Sequence, residues 1–288
     1  MSQTTPTFRP KQKGFTLVEL VMVIVILGAI GGTVAVFMKA PIDAYFDSAR
    51  RAALTDVADT TVRRISRDLH RSLPNSIRNP DNGSLQCLEF IPTKTGGRYR
   101  AEESAPGNNL DFSIEDTTFN MLGSNTTFAG LPIPADQQIA AGDRIAVYNL
   151  GIAGASAYEV GRTGVVNGVV SGAETAITLT TGIRFPLASP SKRFHVINAT
   201  EQVVGYVCTG DGTLRRYTMT LPNATPASCP LAAAVVASPV LARNVASCSF
   251  DYIGPDLLRN ALVRMTLELT DSGETVTLQH EVHVNNTP

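Results

Sequence analysis

The sequence predicts an α+β protein: a long N-terminal helix, its first half transmembrane, packed on an antiparallel β-sheet head. Three observations carry this. Phe15 to Met38 is apolar apart from Thr16, Glu19 and Thr33. Apolar residues spaced by three and four follow from Leu54 to Leu73, one stripe of a helix. Beyond about residue 84 the period falls to two, with Gly, Asn and Asp between the runs, the mark of strands and turns.

The apolar run of 24 residues is long enough to cross a hydrocarbon core of about 30 Å as a helix. Arg9, Lys11 and Lys13 are the only charges before Gly14. A short positive leader stays on the cytoplasmic side while the C-terminal part is exported. An ordinary secretory signal is cut after its apolar run. Here the Gly14-Phe15 junction ends the basic stretch, so a cut there leaves the whole run in the mature chain. Glu19 is the odd residue, because a carboxylate within a membrane segment is costly and usually functional. It lies one helical turn from Phe15, where it can pair with the free α-amino group of a neighbouring copy; in a low dielectric that pair is strongly favoured over an isolated carboxylate.

The helix is expected to continue amphipathically over 41–75. Leu54, Ala58, Val62, Ile65, Leu69 and Leu73 lie on the packed face, Arg and Asp residues on the other, and Pro74-Asn75 ends it. The β-rich head then spans 76–288. Strands are expected at 85–91, 144–149, 176–180, 194–197, 203–208, 214–220 and 248–252. A final hairpin alternates Val263, Met265, Leu267 and Leu269 against Val276, Leu278, Val282 and Val284 around a turn at Asp271-Ser272-Gly273. The stretch 93–142 is rich in Gly, Asn, Thr and Pro and is expected as a loop insertion.

Composition excludes several classes. A net charge of -1, an aromatic share of 6% and no Trp argue against a nucleic-acid surface. Cys87, Cys208, Cys229 and Cys248 form no close pair, so a zinc site is disfavoured and two disulfides are expected in an exported chain. Three pairings are open. The preferred one joins Cys208 to Cys229 around a predicted hairpin and Cys87 to Cys248 between two strands. His280 falls on the apolar face of the last strand and is expected as a core histidine. His283 falls on the opposite face, so the two cannot chelate one ion from one side. His70 lies at the helix end and His195 alone in a strand. Asp211 in a Gly-Asp-Gly turn falls far short of a calcium site. No nucleophile elbow, zincin, phosphate-loop or dinucleotide motif is present, and no metal, cofactor or enzymatic activity is expected.

The segment KQKGFTLVEL at 11–20, with its apolar continuation, resembles the signature of type IV pilins and type II secretion pseudopilins. The resemblance implies a type IV pilin-like fold. It implies cleavage between Gly14 and Phe15 by a membrane aspartyl prepilin peptidase, N-methylation of Phe15, and a need for Glu19 in assembly. Where many members carry a proline, this chain has Val36; Gly28, Gly31, Gly32 and Pro41 are expected to supply the helix weakness instead. A second resemblance runs through RRISRDLHRSLPNSIR at 63–78, CLEFIPTKTGGRYR at 87–100, LARNVASCSFDY at 241–252 and ALVRMTLEL at 261–269. It is to pilus-biogenesis minor pilins of the mannose-sensitive haemagglutinin (MSHA) system and, more distantly, to J-type pseudopilins. It implies a single-pass inner-membrane protein with a periplasmic head, placed at the pilus tip or cell surface after assembly. The implied partners are the prepilin peptidase, major and minor pilins, and an inner-membrane assembly platform. Major pilins are usually much smaller, so the size of this head favours a low-copy subunit.

Overall fold

The computed structural model describes residues 14–80, 86–103, 107–223, 229–230, 232–253 and 260–288. Helix α1 runs from Leu17 to Leu69. The chain divides into two units, Met1–Ala52 and Ala53–Pro288. In the first, α1 passes through Gly28, Gly31, Gly32 and Pro41 without interruption.

In the second unit the last turns of α1 bury Leu54, Ala58, Val62, Ile65 and Leu69, five of the six residues of the expected stripe; Leu73 is buried too, but the helix stops at Leu69, short of the expected end at Pro74-Asn75. Each large aliphatic side chain fully withdrawn from water contributes roughly 1.5–3 kcal/mol, so this stripe holds the helix to the head. It packs on two antiparallel sheets. The first joins β1 (Cys87–Phe90), β10 (Val203–Cys208), β11 (Thr213–Met219) and β12 (Val240–Arg243) in that order. The second joins β13 (Val245–Ile253), β14 (Asn260–Asp271) and β15 (Glu274–Asn285). Leu88, Phe90, Tyr206, Val263, Met265 and Leu267 meet the helix stripe in one core. The β14–β15 hairpin closes at Asp271 and Glu274 around Ser272 and Gly273, both at positive φ (49° and 88°), a turn that matches strand twist.

The expected loop at 93–142 is a correction. It holds β2 (Thr95–Arg98), β3 (Asp116–Leu122) and a short ribbon of β4 (Thr127–Phe128) and β5 (Leu131–Pro132). β2 and β3 join β6 (Arg144–Ala146), β7 (Gly164–Val170), β8 (Glu174–Ile183) and β9 (Arg193–Ile197) in a six-stranded antiparallel sheet ordered β2-β9-β6-β7-β8-β3, and β4 and β5 pair only with each other. A single bridge between Tyr99, just beyond β2, and Met121 of β3 links the two edges of the sheet. Tyr99, Phe119, Ile145, Ile177, Phe194 and Val196 fill its own core. Gly97 is required there: a Cβ would lie 2.9 Å from the Phe194 ring and 3.0 Å from Met121 Cγ.

The disulfides are a second correction. Cys87 bonds Cys229 and Cys208 bonds Cys248, in place of the expected Cys208–Cys229 and Cys87–Cys248. Strand alternation is the reason. Cys87 sits directly opposite Val207, so Cys208, one residue on, points to the other face. Cys87 and Cys229 pack with Val207 and Tyr217, whereas Cys208 and Cys248 lie against the helix-side core.

Candidate processing and assembly site

Gly14, Phe15 and Thr16 precede the first turn of α1, and Phe15 is 80% exposed. Thr16 is the N-cap. The Glu19 N–H donates to Thr16 Oγ1 at 3.2 Å, and the Thr16 N–H points back at Glu19 Oε2 at 3.5 Å. This is a capping box, in which two otherwise unsatisfied amides at a helix start are answered by side chains. The Thr-x-x-Glu spacing is the sequence signal that finds it, and the membrane reading of Glu19 passes over it. The cap fixes the carboxylate over the first turn, beside the residue that follows Phe15, with the positive end of the helix dipole beneath it.

Every residue from Gly14 to Phe46 is exposed. The helix is long and apolar enough to cross a membrane, and none of its apolar window is buried within the chain. As a helix, residues 15–40 measure about 39 Å, more than the hydrocarbon thickness. So large an exposed apolar surface requires a lipid or protein cover. A Cβ built on Gly14 meets nothing within 4 Å, so the fold itself does not demand glycine at the expected cleavage position. Arg9, Lys11 and Lys13 lie outside the described residues.

The head gathers its ionisable groups into structural ties. Glu89 is fully buried and accepts Arg78 Nε at 2.7 Å and the Tyr217 hydroxyl at 2.6 Å. Arg78 also donates to the Asn223 carbonyl at 2.9 Å and lies 3.6 Å over the Tyr158 ring. Glu89, Gly205 and Tyr217 are opposite one another on three adjacent strands, so the Tyr217 ring crosses bare Gly205 to reach the carboxylate. Burial above all pushes the phenols of Tyr158 and Tyr217 upward, which keeps them neutral donors. Sequence reasoning missed this cluster, because it depends on strand register.

Asp211 serves its turn. Hydrogen bonds from Thr209 and then Thr213 hold its carboxyl down at about 2, and Thr213 donates from N at 3.0 Å and from Oγ1 at 2.6 Å. Among the described residues no group of three or more His, Cys, Asp or Glu side chains is placed to hold a metal ion. His280 is corrected from core histidine to a half-buried residue at the mouth of a groove. His283 is exposed on the opposite face. His195 is half-buried in β9 opposite Gly96 and Ala146, and burial followed by the charge of Arg193 lowers its pKa.

Residues 9–35 match the family model for the prokaryotic N-terminal methylation motif. No match was found among curated proteins or solved structures. The matched segment spans the capping box and most of the exposed apolar run, and proteins with this motif are structural subunits processed and methylated at the N-terminus. The chain carries the prokaryotic N-terminal methylation motif on a membrane-length apolar helix, which supports a type IV pilin-like prepilin that is anchored in a membrane and assembles with other pilins.

Proposed function

We propose that the chain is a minor, low-copy subunit of an MSHA-type type IV pilus, resembling the biogenesis protein MshO. Prepilin peptidase cuts it between Gly14 and Phe15 and methylates the new Phe15 amine. The apolar helix holds it in the bacterial inner membrane with the head in the periplasm, and an assembly platform lifts it into, or uses it to start, a pilus. One observation carries this reading most directly: the exposed apolar helix begins at a capping box one residue beyond the matched Gly14-Phe15 junction. The capping box that holds Glu19 over that first turn supports a role for its carboxylate in pairing with the α-amine of a neighbouring subunit.

A Glu19→Val variant tests the assembly role. It is expected to be processed and inserted yet missing from sheared pili; recovery there at the wild-type level would overturn the pairing. A J-type pseudopilin of a type II secretion system is the second reading, favoured by the Arg67-Asp68-Leu69 helix end, where Leu69 is buried and Asp68 accepts the Tyr206 hydroxyl at 2.5 Å. Deletion of the gene separates the two. Loss of surface pili with normal exoprotein release supports the pilus subunit, and the reverse pattern supports the pseudopilin. A third reading, an adhesin head on a pilin anchor, predicts direct glycan or cell binding by the chain.

A further inference from the structure

A groove of about 510 Å³ runs between the outer side of α1 and β15, lined by Thr60, Arg63, Ser66, Arg67, His70 and His280. Arg63, Arg67 and His70 follow one another at spacings of four and three, so they form a single stripe beside the buried one. No carboxylate lines the groove. Asp59 is held by Arg63 at 2.7 Å, which leaves Arg67 and the two imidazoles on the groove.

The strand that forms the other wall is the edge of its sheet, with β14 as its one neighbour. Its hairpin closes at Asp271–Glu274. In a two-residue hairpin the closing pair exchanges hydrogen bonds and every second pair thereafter repeats them. Residues 276, 278, 280 and 282 therefore bond to β14, while the backbone N–H and C=O groups of Thr275, Thr277, Gln279, Glu281 and His283 point out of the sheet. Those outward groups have no strand partner among the described residues. Natural edge strands are protected by charged side chains, above all lysine, and by proline, bulges or shortness; the carboxylates of β15 are Glu274 at the turn and Glu281, which pairs with Arg264 of β14. This one has 12 residues and no proline or lysine, and it pairs along its whole length with no register shift.

We propose that this edge and groove together receive an extended acidic segment of another protein, which adds as a strand beside β15 and sets its carboxylates against Arg67 and the imidazoles of His70 and His280. The two features select the same ligand: the bare edge needs a peptide backbone, and the cationic groove needs negative side chains. A nucleic acid would meet the charges but leave the backbone N–H and C=O groups of the edge unpaired. A second copy paired through its own β15 would bring two cationic grooves together.

The test uses the full chain in detergent and a fluorescent peptide of alternating Glu and Thr, of the 12-residue length of β15, followed by anisotropy. Saturable binding is expected, weakening with salt and falling about tenfold or more in Arg67→Glu. Hydrogen exchange in the complex is expected to slow at the amides of Thr277, Gln279 and Glu281. Gln279→Pro removes one outward N–H and is expected to weaken binding; Arg67→Glu, on an exposed helix face, reports even if that proline disturbs the strand. Binding without edge protection would overturn strand addition. Preference for the matching Lys/Thr peptide, preference for single-stranded DNA, or no binding at all would each overturn the proposal.

Discussion

Gly205→Ala gives two physical expectations of opposite sign. In a strand, glycine is entropically costly, so alanine alone would add roughly 0.5–1 kcal/mol of stability. At this position a methyl group falls into the Tyr217 ring, 2.6 Å from Cε1. The ring cannot swing aside freely, because its hydroxyl is tied to buried Glu89 at 2.6 Å. Overpacking a filled site costs about 1–3 kcal/mol, and losing a hydrogen bond to a charged group about 1.5–3 kcal/mol. The net is a destabilisation of roughly 2–5 kcal/mol, or about 4–20 °C in melting temperature for a unit of this size. Thermal unfolding of the full chain in detergent, followed by circular dichroism, measures it. Tyr217→Ala should relieve most of the clash, so the double variant should cost much less than the sum of the singles. A Gly205→Ala chain as stable as wild type would refute the crossed-tyrosine geometry.

The disulfide pairing is read directly from a non-reducing tryptic digest, since Lys94, Arg215 and Arg243 place the four cysteines on separate peptides. Links of Cys87 with Cys229 and of Cys208 with Cys248 are expected, and either mixed pairing contradicts the structure. Closing loops of sequence separation 142 and 40 corresponds to about 5 and 4 kcal/mol in the chain-entropy account, so reduction should lower the melting temperature sharply. His195 gives a pH dependence. Its folded pKa is depressed, so below an unfolded value of about 6.5 the unfolded state takes up a proton that the folded state refuses. Stability is therefore unaffected above that pH and falls as the pH drops below it, by at most about 1.4 kcal/mol per unit. His195→Gln should lose this step in urea titrations at pH 7.5 and 5.5, and an unchanged slope would sink the assignment.

The helix and the last hairpin were legible because periodicity alone specifies them. Leu54 to Leu69 repeat at helical spacing, and Val263 to Leu269 alternate in a run with no competing pattern. The six-stranded sheet was not legible in its first half. β2 reads Thr-Gly-Gly-Arg, a composition that local propensity assigns to a loop, and in β7, Gly-Val-Val-Asn-Gly-Val-Val, glycine and asparagine interrupt two strand-forming Val pairs. The glycines are there because neighbouring side chains cross them, as Met121 and Phe194 cross Gly97. The disulfides failed for a related reason. Which face each cysteine presents is set by the register of β1 on β10, which spacing along the chain does not encode. At the N-terminus the methylation motif and the membrane-length apolar run were readable in the sequence, whereas the capping box that joins Thr16 to Glu19 was passed over. The cationic groove needed the structure, since His280 lies more than two hundred residues from His70.

The central claim is that Gly14-Phe15 is a processing junction rather than the start of a buried or secreted helix. The direct measurement is the intact mass and N-terminal sequence of the chain purified from cells with and without an active prepilin peptidase. With the peptidase, a chain beginning at Phe15 and heavier by one methyl group on its amine is expected; without it, the chain should retain residues 1–14. A chain still beginning at its leader when the peptidase is active, or one cut after the apolar run near residue 40, would contradict the account.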